Sequence, residues 1–255
     1  MTKKKILVLA LTIAMVAILA VGGSLAYLTD TDAKTNVFTV GKVDITLKEN
    51  FDEQNAKLLP GSQTSNAVQK EVWIELDRTS EDAYVWYEWL IPAKLDSTDG
   101  STGTNNIIHV NSYGYTWDKY RESFALDTGA LPENQTWDHS PEKKLIALGV
   151  DFEKDGPEGF IGTETINNVV YNKYIVLYHG ILSNDTDDTK KTTPAMKQVY
   201  MDSKVDTNKD GQYTINGNVI DYDLTKGLDI IVRAYAIQAD GFADEYAACA
   251  AYYNK

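Results

Sequence analysis

The sequence is poor in residues that build several common kinds of site. Cys249 is the only cysteine among 255 residues, so no disulfide can form within the chain and stability must come from a buried core. We expect its thiol to pack as a small apolar group near the C terminus. No Gly-rich phosphate loop can be recognised either. These absences argue against a disulfide framework and against a nucleotide-binding enzyme.

Histidines are few and scattered. A zinc peptidase of the zincin type needs two histidines one helical turn apart, with a glutamate between them as general base. His109, His139 and His179 each stand alone, and none lies in a His-Glu-x-x-His context. We therefore predict that the protein is not an enzyme.

Positive charge is scarce as well. The chain has 24 lysine and arginine residues against 37 aspartate and glutamate residues, which gives a formal charge of −13. Nucleic acids and anionic membrane surfaces bind cationic patches, so the composition argues against both as partners. It is typical of a soluble secreted protein, including one that binds calcium.

The N terminus has the order of an export signal. Three lysines at positions 3–5 precede an uncharged, mostly apolar run, and two glycines and the small-residue sequence Ser24-Leu25-Ala26 follow. This order predicts a secretory signal peptide over residues 1–26, cleaved between Ala26 and Tyr27. The alternative is a retained membrane anchor, because the uncharged stretch to Leu28 is long enough to span a bilayer. We favour cleavage because the apolar part ends at the glycines. Loss of the three lysines changes the formal charge to −16 and leaves no membrane association.

The residues around the cut site carry a family resemblance. Behind the Gly-Gly pair and the cut site come an aromatic residue, Tyr27, the pair Thr29-Asp30, then Phe38 and the strand pattern Gly41-Lys42-Val43-Asp44-Ile45. This order resembles the start of TasA, camelysin and related exported proteins that are cut by a SipW-type signal peptidase. The resemblance is close over residues 1–50 and covers the rest of the chain only in outline.

The resemblance implies a fold, a partner and a mechanism. It implies a jelly roll of two packed sheets. In TasA-like matrix proteins the freed N-terminal segment adds as a strand to the sheet of the next subunit, whose edge offers unpaired backbone groups. The matching segment here is 27–40, with Phe38 and Val40 as candidate anchors and Leu28 as a weaker one. The alternative is that this segment pairs within its own subunit.

Alternating apolar residues predict many short strands in the rest of the chain. A turn at Pro60-Gly61 precedes one of them, a half-buried strand with apolar residues on one face. That face carries Val68, Val72, Ile74 and Leu76. The last strand alternates in the same way from Leu228 to Ala236, with Arg233 facing outward. The alanine-rich tail from Ala243 to Tyr253 favours a helix.

The most β-prone stretch is 83–91, which is β-branched or aromatic at most positions and is closed by Pro92. Such density predicts a central strand covered on both faces. A functional interpretation would make its aromatic residues a platform for stacking on carbohydrate. That platform would consist of Tyr84, Trp86, Tyr87 and Trp89.

Three further segments carry turn or cap signals. Ser140-Pro141 and Gly149 fit the two ends of a helix, while the apolar run between Leu145 and Val150 fits a strand equally well, so both alternatives stay open. A strand signal covers 169–178, where Asn172-Lys173 would form a tight turn dividing two strands. Asn216-Gly217 predicts a hairpin with a type I′ turn.

Strands at regular spacing with polar turns and little helix indicate an antiparallel β-sandwich or barrel. With the resemblance, this gives an all-β, jelly-roll-like sandwich with long loop insertions and a short C-terminal helix. No linker divides the chain after the cut, so we predict a single domain over residues 27–255.

One loop matches the first half of a calcium site. Oxygen-bearing side chains at Asp206, Asn208, Asp210 and Gln212 surround Gly211, which stands where such a loop turns sharply. The bidentate glutamate expected at the twelfth position is missing, although Asp221 or Asp223 could substitute. Calcium is the one cofactor that the sequence suggests, and an ordinary polar turn is the alternative.

The combined hypothesis is a secreted structural protein, a subunit of biofilm-matrix or cell-surface fibres that assembles with copies of itself. The alternatives are a secreted camelysin-like metallopeptidase and a surface adhesin or carbohydrate-binding module.

Overall fold

The computed structural model describes residues 42–52, 55–62, 65–96, 106–112, 115–117, 137–138, 141–152, 159–226 and 228–254. All of them belong to one compact unit, Lys42–Lys255. None of the described helices is both long enough and apolar enough to cross a membrane.

Fourteen strands and two short α-helices are described. The strands are β1 (Ile45–Asn50), β2 (Pro60–Gly61), β3 (Val68–Leu76), β4 (Ala83–Pro92), β5 (Ile108–Ser112), β6 (Tyr115–Trp117), β7 (Trp137–Asp138), β8 (Phe160–Ile166), β9 (Val169–Tyr178), β10 (Met196–Asp202), β11 (Val205–Thr207), β12 (Tyr213–Ile215), β13 (Asn218–Val219) and β14 (Ile231–Gln238). The helices are α1 (Glu142–Ala147) and α2 (Glu245–Tyr253).

The strands form two main sheets and a small third one. The first sheet has the order β1-β3-β10-β5-β6, with β2 added to β10 in the chain's only described parallel pairing. The second sheet has the order β14-β4-β9-β7, and β8 also pairs with β9. A three-stranded meander, β11-β12-β13, forms the small sheet. The predicted all-β sandwich is confirmed.

Alternation along β4 explains how the sheets pack. Val85, Tyr87 and Trp89 belong to one apolar core together with the inward residues of β3, Val72 and Ile74. All ten residues of β4 are buried, so the predicted central strand covered on both faces is confirmed. The inward alternation predicted for β3 is confirmed as well, because its core-facing residues Val72, Ile74 and Leu76 are buried.

The outer face of the second sheet is covered by the two helices. Trp86, Ile175 and Leu177 form a second apolar cluster with Leu145 of α1 and Cys249 of α2. Burial raises the pKa of the Cys249 thiol far above its ordinary value. The expectation of a packed, unreactive cysteine is therefore confirmed, as is the predicted C-terminal helix.

The segment that fitted both a helix and a strand is the helix α1. Gly149 ends it in the left-handed region at φ +88°, and the Val150 N–H reaches back to the Leu145 carbonyl at 3.1 Å. This bond from beyond the helix end is the usual use of a C-terminal glycine. The residues in question therefore cap the second sheet instead of extending it.

Two predicted turns lie elsewhere. The turn at Asn172-Lys173 is wrong, because β9 runs unbroken through both residues and the turn lies at Asn167-Asn168, with φ of 49° and 66°. Asparagine tolerates this left-handed region well, so the asparagine turn expected at 172–173 is formed instead by the pair that joins β8 to β9. Pro60-Gly61 forms the short strand β2, and Ser62 beyond it exchanges two backbone hydrogen bonds with Ser65. The type I′ turn at Asn216-Gly217 is confirmed by positive φ at both residues.

Candidate assembly edge

β14 is the outer strand of the second sheet in the described part of the chain, where it pairs with β4 alone. Ala83 exchanges both of its backbone bonds with Leu182, on the side away from β14. Gln238, the partner of Ala83 on β14, is therefore in a non-hydrogen-bonded pair. Hydrogen-bonded and non-hydrogen-bonded pairs alternate along an antiparallel ladder, so the state of every other pair between β14 and β4 follows. Four residues direct their backbone N–H and C=O groups away from the sheet: Val232, Ala234, Ala236 and Gln238.

The core-facing side chains of this edge are only partly covered. Val232, Ala234 and Ala236 pack against the sandwich core but are only half-buried, whereas their partners on β4 are 0% exposed. Among the described residues, this edge thus has backbone groups without a hydrogen-bond partner and apolar side chains that are only half-buried. Those are the two properties that an added strand can satisfy.

The β1 edge of the first sheet is different. β1 pairs with β3 alone among the described strands, and five of its six residues are exposed. Lys48 lies 3.9 Å from Glu75, and Glu49 forms an ion pair with Lys70. Charged side chains, lysine above all, protect an edge against pairing with another chain. Of these two edge strands, β14 is therefore the more open to an added strand.

The chain enters the sandwich beside the β14 edge. β1 and β14 approach each other on one flank of the molecule, and both Val43 and Ile45 pack against the core. The segment 27–40 lies immediately ahead of that entry in sequence.

On the outer face, four charged residues alternate in sign across four neighbouring strands: Arg233 on β14, Glu88 on β4, Lys173 on β9 and Glu164 on β8. We call this set the charge ladder. Glu88 is 3% exposed, and lies 3.6 Å from Arg233 and 3.8 Å from Lys173. Arg233 donates two hydrogen bonds to Glu164, at 2.7 and 2.8 Å. A buried carboxylate is thereby held between two cations.

Two tyrosines complete the surroundings of Glu88. The Tyr235 hydroxyl on β14 and the Tyr253 hydroxyl on α2 donate to its two oxygens at 2.9 and 2.7 Å. Burial, together with the Glu88 charge, raises the pKa of Tyr235 to about 12. The hydrogen bonds from Arg233 lower the pKa of Glu164. The outer face of β14 is therefore tied to the last turn of the C-terminal helix.

Alkaline pH is expected to weaken this face. An unfolded tyrosine ionises at about pH 10, and Tyr235 in the fold at about 12. Its contribution to stability is therefore complete below the first value and declines as the pH rises toward the second. The melting temperature of Tyr235→Phe should fall less steeply across this range than that of the wild type. Tyr213→Phe, in the separate small sheet, is the control, and equal slopes in all three proteins would contradict the prediction.

The N-terminal sites lie outside the described residues. This applies to the cleavage pair Ala26 and Tyr27 and to the assembly anchors Leu28, Phe38 and Val40. Cleavage and strand donation therefore stay predictions.

The predicted calcium loop joins β11 to β12. Asn208 Oδ1 accepts the backbone N–H groups of Asp210 and Gln212 at 3.0 and 2.9 Å, and Asp206 Oδ1 accepts that of Thr207 at 2.7 Å. The loop is thus closed by its own hydrogen bonds, which is the arrangement of an ordinary polar turn. Within the described ranges, no three or more His, Cys, Asp or Glu residues are grouped to hold a metal. Calcium binding stays a prediction.

The two described histidines lie apart from each other. His109 on β5 is 3.0 Å from Asp202 and stacks on Tyr200 at 4.8 Å between ring centroids. His179, which follows β9, is 2.8 Å from Glu245 of α2. His109 lies in the first sheet and His179 just beyond a strand of the second, and His139 lies outside the described residues.

The predicted aromatic platform is wrong. Trp86, Tyr87 and Trp89 are each 0% exposed, and Tyr84 is 7% exposed. A sugar ring cannot reach these faces, because both sheets and the C-terminal helix cover them. The charge ladder was missed by sequence reasoning, although Glu88 gives a signal as the one charged residue inside an apolar strand.

Comparisons with known proteins agree with the N-terminal pattern. Residues 1–75 match a family model described as camelysin metallo-endopeptidase, which confirms the resemblance to the TasA/camelysin family. No curated protein and no solved structure matches the chain.

Proposed function

We propose that the protein is a secreted structural subunit of an extracellular matrix or cell-surface fibre. Each copy would add its segment 27–40 as a strand to β14 of the next copy. The observation that carries this proposal is the β14 edge, with four residues' backbone groups directed outward and an apolar row half-buried beside them. The family match at the N terminus supports it, because it covers the proposed donor segment.

Two partners follow from this proposal. A SipW-type signal peptidase would cut before Tyr27 and free the donor segment, and a second copy of the chain would supply the acceptor. Because the donor segment and the β14 edge are different parts of the subunit, each contact is head to tail and leaves one donor and one edge free. Repetition of such a contact gives an open filament unless the rotation closes a ring.

A secreted metallopeptidase is the second candidate, because the matching family model is described as a metallo-endopeptidase. Digestion of casein that stops with a chelator and returns with zinc would support it. The aromatic residues that suggested an adhesin are buried, so that observation no longer supports an adhesin.

Two purified proteins test the fibre proposal, one beginning at Tyr27 and one at Gly41. Negative-stain electron microscopy should show filaments of the first and none of the second, because only the first retains the donor segment. Matching thermal unfolding of the two would show that the shorter chain is folded. Monomers of both over a wide range of concentration, pH and calcium would contradict the proposal.

A further inference from the structure

Alanine occupies the two middle positions of the core-facing row of β14. Ala234 lies opposite Tyr87 and Ala236 opposite Val85 in the ladder with β4. Their methyl groups are half-buried, and no larger side chain of β14 lies between them on this face. The row therefore carries only small side chains at two positions, which lie two residues apart along the strand.

A strand added to this edge brings its own alternate side chains onto the same face. Directly opposite residues have Cβ atoms about 5 Å apart, so a large side chain there would lie over an alanine methyl group. Phe38 and Val40 have the same two-residue spacing and would therefore share one face of such an added strand. Thr39 between them would fall on the outer face, beside Arg233 and Tyr235, where a polar side chain is compatible.

We propose that Ala234 and Ala236 are the specificity-determining positions of the acceptor edge, and that they receive Phe38 and Val40 of a second copy. This inference rests on the proposed fibre function and names the contact that selects the donor strand. Small acceptor residues select large donor residues by volume, since an edge already filled by a bulky side chain would exclude them.

Volume changes at these positions test the inference in the processed protein. Ala234→Phe and Ala236→Phe should each slow filament growth by about tenfold or more, because overpacking a close contact is as unfavourable as losing it. Leu47→Phe, on the edge strand of the other sheet, is the matched control and should change the rate by less than about twofold. Thermal unfolding of each variant shows whether its subunit is folded.

A double variant that exchanges the sizes of the donor and acceptor side chains distinguishes an effect of volume from failure for other reasons. Phe38→Ala alone should also slow growth by about tenfold, through loss of the buried ring. Combining it with Ala234→Phe or Ala236→Phe should restore growth in one of the two pairs, which would also give the strand direction. Wild-type growth with no effect of any alanine variant would overturn the inference while leaving the fibre proposal intact. Absence of wild-type filaments would overturn the fibre proposal itself.

Discussion

Replacing Arg233 with methionine is expected to destabilise the protein by about 3 kcal/mol, because it removes one of the two cations that hold a buried carboxylate. Glu88 is 3% exposed and, among the described residues, would keep only Lys173, at 3.8 Å, as an ionic partner. Methionine retains most of the arginine's apolar stem, so the loss reflects charge more than packing. Urea unfolding measures the change, as a lower midpoint with an unchanged slope.

The exposed end of the ladder supplies the control. Glu164→Gln removes the same two ionic bonds from Arg233 but leaves Glu88 between its cations. We expect a loss of about 1 kcal/mol or less, as for other partly exposed pairs. Equal losses in the two variants would show that burial of Glu88 does not set the energy of the ladder.

Trp86→Ala is expected to cost about 4 kcal/mol, the usual result of deleting a fully buried tryptophan. Its ring packs against Tyr235 and Tyr252, at 5.7 and 5.3 Å between centroids, and so joins the sheet to α2. For a domain of this size the melting temperature should fall by about 10 °C.

Trp73→Ala provides the comparison, since Trp73 on β3 is half-buried and its indole N–H donates to the carboxylate of Glu75. We expect it to cost about 1 kcal/mol. Should the two variants unfold at the same temperature, the contact between the second sheet and its helix would contribute no more than an ordinary surface residue.

Sequence patterns predicted those elements whose conformation is determined by residues close together in the chain. The alternation in β3, the aromatic density of β4 and the Asn-Gly pair at 216–217 each specify a conformation through steric rules that act within a few residues. The helix-or-strand question at 140–150 was different. Its apolar residues fit either period, and the choice depends on the face of the second sheet that α1 covers.

Tertiary features could not be predicted in the same way. The charge ladder draws on three distant parts of the sequence: Glu88, the hairpin that carries Glu164 and Lys173, and Arg233. They meet only because four strands are ordered side by side. Asparagine is typical of turns, yet the Asn172 side chain lies inside the sandwich. Its Nδ2 donates to Asp96 Oδ2 at 2.9 Å. Which strand lies at the edge of a sheet likewise depends on the topology, so the edge position of β14 could not be recognised from its residues alone.

The charge ladder also bears on how β14 finds its place during folding. A slip of one residue is excluded by the apolar pattern, because it would turn Arg233 into the sandwich core. A slip of two residues keeps every side chain on its proper face, and apolar alternation cannot distinguish it from the native alignment. It would, however, carry Arg233 about 7 Å along the strand from Glu88. The ladder therefore discriminates against the one class of misalignment that hydrophobicity tolerates.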